Sequence, residues 1–240
     1  MRSRVWFPVT ALLAASGWCV LLLVARRHAF GAVQYRYLVW NLTLAWVPLV
    51  LAVLLYAAYR RRHTLVELAA IGIAWLVFLP NAPYVLTDFV HLGQSHRLFD
   101  TMIIASFAGT ALAIGFASLL LVQIVVTRLA GVIAGWGVVV SALFLSSIGM
   151  YLGRVQRFNS WDVVRRPRLV AWTVRERLND PFGNRYLLLF VAAACGFLTL
   201  AYVALYGIAT LASLAGRRPE APVLLSKESW PSRSSSSNRS

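Results

Sequence analysis

The sequence predicts an all-α fold, a polytopic bundle of about six transmembrane helices, and three observations carry that expectation. Hydrophobic residues make up 60% of the 240, with a mean hydropathy of +0.70, beyond the near-even balance of soluble domains. The formal charge of +15 is segregated: arginines cluster between long stretches that hold almost no charge. Several of those stretches reach the roughly eighteen apolar residues that mark a membrane helix. The pI of about 11.1 therefore reflects arginines flanking spans, and nucleic acid is not an expected partner.

The spans fall at about 5–25, 37–59, 65–80, 101–126, 132–152 and 186–214. Arg2 and Arg4 precede the first, as in a signal peptide. Its apolar stretch, Val5 to Ala25, exceeds the roughly 7–15 residues of a signal h-region, so it is expected to be retained. Trp18 is too bulky for the residue before a lipidated cysteine, so Cys19 reads as packing, as does Cys195. Residues 1–215 form the integral membrane domain. From Gly216 the chain turns polar and ends SRSSSSNRS, which predicts a disordered Ser/Arg-rich tail over 216–240.

Two connections are long, 81–100 and 153–185, and with six spans both face one compartment. Lys plus Arg number 12 on that side, against 8 on the other once Lys227, Arg233 and Arg239 of the tail are set aside. The positive-inside rule then leans toward a cytoplasmic long-loop side, with Arg60, Arg61 and Arg62 arguing the other way. Spans four and five pair small residues four apart: Gly109 with Ala113, Gly131 with Gly135, Gly149 with Gly153. Such spacing lets helices approach closely in lipid.

Thr64 and Glu67 at the start of span three fit a capping box. The span then runs into WLVFLPNAPYVLTDFVHLG at 75–93. Leu65 to Leu79 gives only about 22 Å of helix against a hydrocarbon core of about 30 Å. Pro80-Asn81-Ala82-Pro83 is therefore expected to break the helix, with Pro83 turning Ala82 out of helical geometry and opening a new helix over 83–92. At 100° per residue, Tyr84, Thr87, Asp88 and His91 share one face, with Val85, Leu86, Phe89, Val90 and Leu92 on the other. Either this short interfacial helix turns its polar stripe to head groups and water, or the stripe points inward and lines a site.

Three strings carry a family resemblance: NLTLAWVP at 41–48, WLVFLPNAPYVLTDFVHL at 75–92 and GMYLGRVQRFNSWD at 149–162. They resemble an uncharacterised bacterial multipass membrane family, domain of unknown function 1361, over about residues 36–190. The resemblance implies a bacterial inner-membrane protein and supplies no catalytic residue.

In the third string Arg154 and Arg157 share a helical face at i and i+3. Asn159-Ser160-Trp161-Asp162 reads as a helix start, and RLVAWTVRERL after Pro167 as a basic amphipathic segment on anionic lipid head groups. Its apolar face would be Val170, Ala171, Val174 and Leu178. Asn41, early in span two, is expected to hydrogen-bond another helix, and Pro48 to kink that span.

The pattern thus gathers Asn41, Asn81, Tyr84, Asp88, His91, Arg154, Arg157, Asn159 and Asp162 toward one membrane face. Three function classes remain open. A binding or transport module would use the arginines on an anionic ligand or lipid head group. A membrane enzyme would use Asp88 and His91, with His96 and Asp100 as further ligands if a metal were held. No cofactor or metal is expected, because D-x-x-H is a weak pattern and no H-E-x-x-H, G-x-S-x-G or P-loop accompanies it. In a scaffold or assembly factor the polar residues would only lock the fold. A stripe lining a cavity would favour the first two classes, and a stripe closed by direct salt bridges the third.

Overall fold

The computed structural model describes residues 3–31, 35–92, 96–155, 165–179 and 185–215. Among them there is no strand. Six helical stretches are long and apolar enough to cross a membrane. The elements are α1 (Ser3–Phe30), α2 (Arg36–Arg60), α3 (Leu65–Phe78), α4 (Asn81–Tyr84) and a 3-10 helix (Val85–His91). After these come α5 (Arg97–Ala130), α6 (Val132–Val155), α7 (Pro167–Asn179) and α8 (Arg185–Ala215). The expected six-span bundle is what forms, with most span ends a few residues longer. Trp161, Arg157, Asn159, Asp162 and the 216–240 tail lie outside the described residues, as do the side chains of Val170, Ala171, Val174 and Leu178.

The chain divides into two compact units, 1–202 and 203–240; the described part of the second is the C-terminal stretch of α8 to Ala215. Within the first unit α5 is central and packs against α1, α2, α4 and α6, while α2 also packs against α3. Its fully buried Ile103, Ile104, Phe107, Ala111, Ile114 and Leu119 form the spine of the core. Lipid tails are as apolar as leucine, so helix association needs close packing and polar links. Trp75 Nε1 donates to Ser118 Oγ at 3.2 Å, and Tyr202 OH donates to Gln123 Oε1 at 2.6 Å. Outward positions such as Phe7, Ile73 and Leu200 are 65–75% exposed, as a lipid-facing surface requires.

α3 starts with the capping box expected of it: Glu67 N donates to Thr64 Oγ1 at 3.3 Å and Thr64 N to Glu67 Oε2 at 3.0 Å. Beyond Phe78 the sequence expectation needs correction. Ala82 does not leave helical geometry; it sits inside the single turn of α4, and Leu79, Pro80, Tyr84 and Val85 all keep right-handed helical dihedrals. Pro83 is tolerated because it stands third in that turn, where its missing N–H would have had no intrahelical partner. The segment after it is also a 3-10 rather than an α-helix, so residues three apart eclipse. Val85 and Asp88 consequently face inward together, both buried, while Val90 is 70% exposed. The α-helical split had placed Val85 opposite Asp88.

Glycine lets this turn enter the bundle. A Cβ on Gly115 of α5 would lie 2.6 Å from Ala82 Cβ, and one on Gly149 of α6 would lie 2.8 Å from the Pro80 ring. Pro80-Asn81-Ala82 is thus wedged between two helices that are bare at the contact points. Gly135 serves a third close approach, against Thr127 near the α5–α6 turn. Gly109 does not belong to this set, since a Cβ there meets nothing within 4 Å. The i,i+4 spacing alone could not say which small residues face a neighbour.

Gly115→Ala and Gly149→Ala are therefore expected to lower stability in detergent by about 1–3 kcal/mol each through overpacking. Gly109→Ala should be neutral or slightly stabilising, because alanine suits a helix better. Thermal unfolding of the three variants checks the contrast.

Candidate functional site

Asp88 sits on the 3-10 helix with 1% of its surface exposed. A carboxylate at that depth must be neutralised or richly hydrogen-bonded. Arg154, at the C-terminal end of α6, meets that need through a hydrogen-bonded ion pair from its Nη2 to Asp88 Oδ1. Asn41 Nδ2 of α2 donates to the other oxygen, Oδ2, at 3.0 Å. Three segments distant in sequence thus converge on one carboxylate.

The guanidinium is occupied on every nitrogen. Arg154 Nε and Nη2 approach Thr87 Oγ1 at 2.8 and 2.6 Å, and Nη1 lies 2.8 Å from His91 Nε2. Since arginine only donates, that His91 nitrogen acts as the acceptor. Tyr84 places its ring face under the guanidinium, with the central carbon 4.9 Å from the ring centroid. Tyr37 stands edge-on to His91 at 5.6 Å. Tyr84, Thr87, Asp88 and His91 lie along one side of this short segment, all within reach of one arginine.

Of the nine candidate residues, the structure brings Asn41, Tyr84, Asp88, His91 and Arg154 together. Asn81 donates from Nδ2 to Phe78 O at 2.8 Å across the end of α3. Arg157, Asn159 and Asp162 lie outside the described residues.

A second polar cluster escaped the sequence reading. Arg26 of α1 grips Asp100 of α5 with two bonds, Nε to Oδ1 at 2.6 Å and Nη2 to Oδ2 at 3.0 Å. Tyr35 OH also donates to Asp100 Oδ2 at 2.9 Å, and the Arg26 guanidinium lies 5.0 Å from the Tyr35 ring centroid. Both charged side chains are at most 5% exposed. Asp100 is thereby committed elsewhere and is not a ligand shared with Asp88, while His96 stacks on Phe30 at 3.8 Å. The available signal was a lone cation and a lone anion near span ends on the same side. Nothing in the spacing joins residues 74 apart.

Cavities are described away from these clusters. One of about 350 Å³ lies between α6 and α8, and one of about 580 Å³ between α3, α5 and α6, with predominantly apolar linings. Cys195 borders the first, and Cys19 is fully buried with its Sγ 3.4 Å from Thr110 Oγ1.

The fold and its polar links define a multipass helical membrane protein. The family model described as "Protein of unknown function (DUF1361)" matches residues 40–206, and the chain belongs to that family. No curated protein and no solved structure matches it. The matched region contains Asn41, the whole 3-10 helix and Arg154, but not Arg26 or Tyr35.

Removing one partner of a buried pair leaves an uncompensated charge, at a cost of about 3–5 kcal/mol. Asp100→Asn is expected within that range. Asp88→Asn should fall at its lower end, because the Arg154 side chain keeps 18% exposure. Adding Arg154→Gln to Asp88→Asn should then cost less than the single losses summed, by about 1–3 kcal/mol. Denaturation of all four forms in detergent measures that coupling.

Proposed function

We propose that this protein is a non-catalytic structural module, a scaffold or assembly factor of the bacterial inner membrane. Its conspicuous polar residues brace the bundle. The observation that carries this reading is the closure of the Asp88 cluster: both carboxylate oxygens and all three guanidinium nitrogens are engaged within the protein. A stripe closed by a direct salt bridge was the outcome that distinguishes a lock from a ligand site.

Catalysis by Asp88 and His91 is less well supported. Arg154 bonds to both, so a cation placed on the pair would meet a guanidinium. An oxygen already held by Arg154 and Asn41 is also a poor base. Binding of an anionic ligand or head group remains the second reading, favoured by the exposure of His91 beside the partly open Arg154.

Two experiments test these proposals. If the cluster is a brace, the neutral pair Asp88→Asn/Arg154→Gln should still restore the phenotype of a strain lacking the gene once expression is matched. Loss of complementation by a folded, membrane-inserted variant would favour the binding reading.

The second concerns lipid head groups as partners of the basic helix α7, where Trp172 is 59% exposed and Arg165, Arg166, Arg168 and Arg175 in and before it are exposed. Trp172 fluorescence should shift to the blue in anionic vesicles and return with salt. An identical spectrum in neutral vesicles would count against that partner.

A further inference from the structure

The Asp88 brace closes inward and leaves unused donors on its outer side. Arginine carries five N–H donors, and four of those on Arg154 are spent. Nε and one hydrogen of Nη2 go to Thr87, the other hydrogen of Nη2 goes to Asp88, and one of Nη1 goes to His91. Thr87 is committed too, since its own hydroxyl donates to Tyr84 O at 2.7 Å. The charge of Arg154 is thus answered by Asp88, while one N–H of Nη1 remains beside His91. The arginine side chain keeps 18% exposure.

The same contact fixes the tautomer of His91. Its Nε2 accepts from Arg154, so the ring proton of the neutral imidazole sits on Nδ1 and makes that nitrogen a donor. His91 is exposed, and among the described residues nothing bonds its Nδ1. Two phenols stand next to it. Tyr37 is 37% exposed, meets the His91 ring edge-on at 5.6 Å and lies within electrostatic reach of Tyr84 and Arg154. Tyr84 is half-buried, with its ring face against the guanidinium. Neither hydroxyl has a hydrogen-bond partner among the described residues.

Two phenol hydroxyls, an imidazole N–H and a guanidinium N–H therefore gather around one pair of contacting rings, and each of them can donate. No carboxylate competes for them, because Asp88 is 1% exposed and held on both oxygens. Such a set suits a ligand that only accepts, and the oxygens of an ionised phosphate do only that. The level suits a head group as well. Arg36 and Trp40, both exposed, flank Tyr37 at the start of α2, a basic and aromatic pairing that favours the membrane interface. We propose that Tyr37, Tyr84, His91 and Arg154 bind a phosphate group. This deepens the second, ligand-binding reading of the cluster and rests on it; the inward brace stands without it.

The test uses the full chain, isotopically labelled at the histidine nitrogens, in bilayers of galactosyl diacylglycerol, which contain no phosphorus. Phosphatidylglycerol is added to the bilayer in one arm and glycerol phosphate to the buffer in the other. Solid-state NMR then reads whether phosphorus dephases the His91 Nδ1 signal, which His91→Gln assigns among the four histidines. Dephasing is expected in at least one arm, and the arm that shows it identifies lipid or free phosphate as the source. Tyr37→Phe and Tyr84→Phe keep the rings and remove only the hydroxyls, and each should weaken binding about tenfold. Absence of dephasing in both arms overturns the site, as does a response that both phenylalanine variants leave unchanged. Should those variants misfold, the dephasing in the unaltered protein still decides. If citrate shifts the His91 signal where both phosphates fail, the phosphate assignment falls and the ligand-binding reading survives. If no anion moves the signal, both fall.

Discussion

A carboxylate sealed inside an apolar bundle is the constraint around which this protein is arranged. Asp88 is 1% exposed, on a stretch otherwise apolar enough to cross a membrane. It is tolerable only if an opposite charge and further donors reach it without water. Meeting that condition sets which face α6 presents, since Arg154 must reach Asp88, and which face α2 presents, since Asn41 must reach the second oxygen. Thr87 and His91 of the same segment complete the shell, both meeting the guanidinium that neutralises Asp88.

That arrangement depends on backbone proximity as much as on charge. The turn at 80–82 delivers Asp88 to α6 only because Gly115 and Gly149 leave no side chain in its way. In lipid, where hydrophobic burial gives little preference for helix–helix over helix–lipid contact, close packing and interhelical hydrogen bonds carry the specificity. The glycines provide the first and the Asp88 cluster the second, at adjacent points of one interface. They are best understood as a single device that locks the end of span three.

The Arg26–Asp100 pair repeats the principle for α1. Apart from Cys19 and Arg26, the described side chains of α1 are exposed or only partly buried; Leu12, Leu22 and Leu23 pack against the core, and a few polar and sulfur contacts add to them. Trp46 Nε1 donating to Ser16 Oγ at 3.2 Å adds one more. The family match begins at residue 40, after α1. The Asp88 brace thus belongs to the part of the chain shared with the family, and the α1 brace joins that part to a helix outside the match. Two of the arginines counted on the long-loop side, Arg26 and Arg154, are spent inside the bundle rather than offered to a membrane surface. This weakens any orientation argued from charge counts alone.

The sequence by itself determined the spans, their order and the cap of α3. Each depends on composition over a window or on residues three or four apart, and lipid leaves the backbone little choice but helix. It also showed that Tyr84, Asp88 and His91 were out of place for a lipid-facing helix. Only the tertiary structure decided what answers them. Whether Pro83 breaks a helix depends on its position within a turn, and whether 85–91 winds as α or 3-10 depends on what waits across the interface. Asn81 also bonds a carbonyl at the end of α3, a local contact that the helical stripe did not announce. Arg26, Asp100 and Tyr35 formed a cluster that no spacing announced. Pairing across 47, 66 or 74 residues is a property of how helices meet, and a helical period carries information only along one helix.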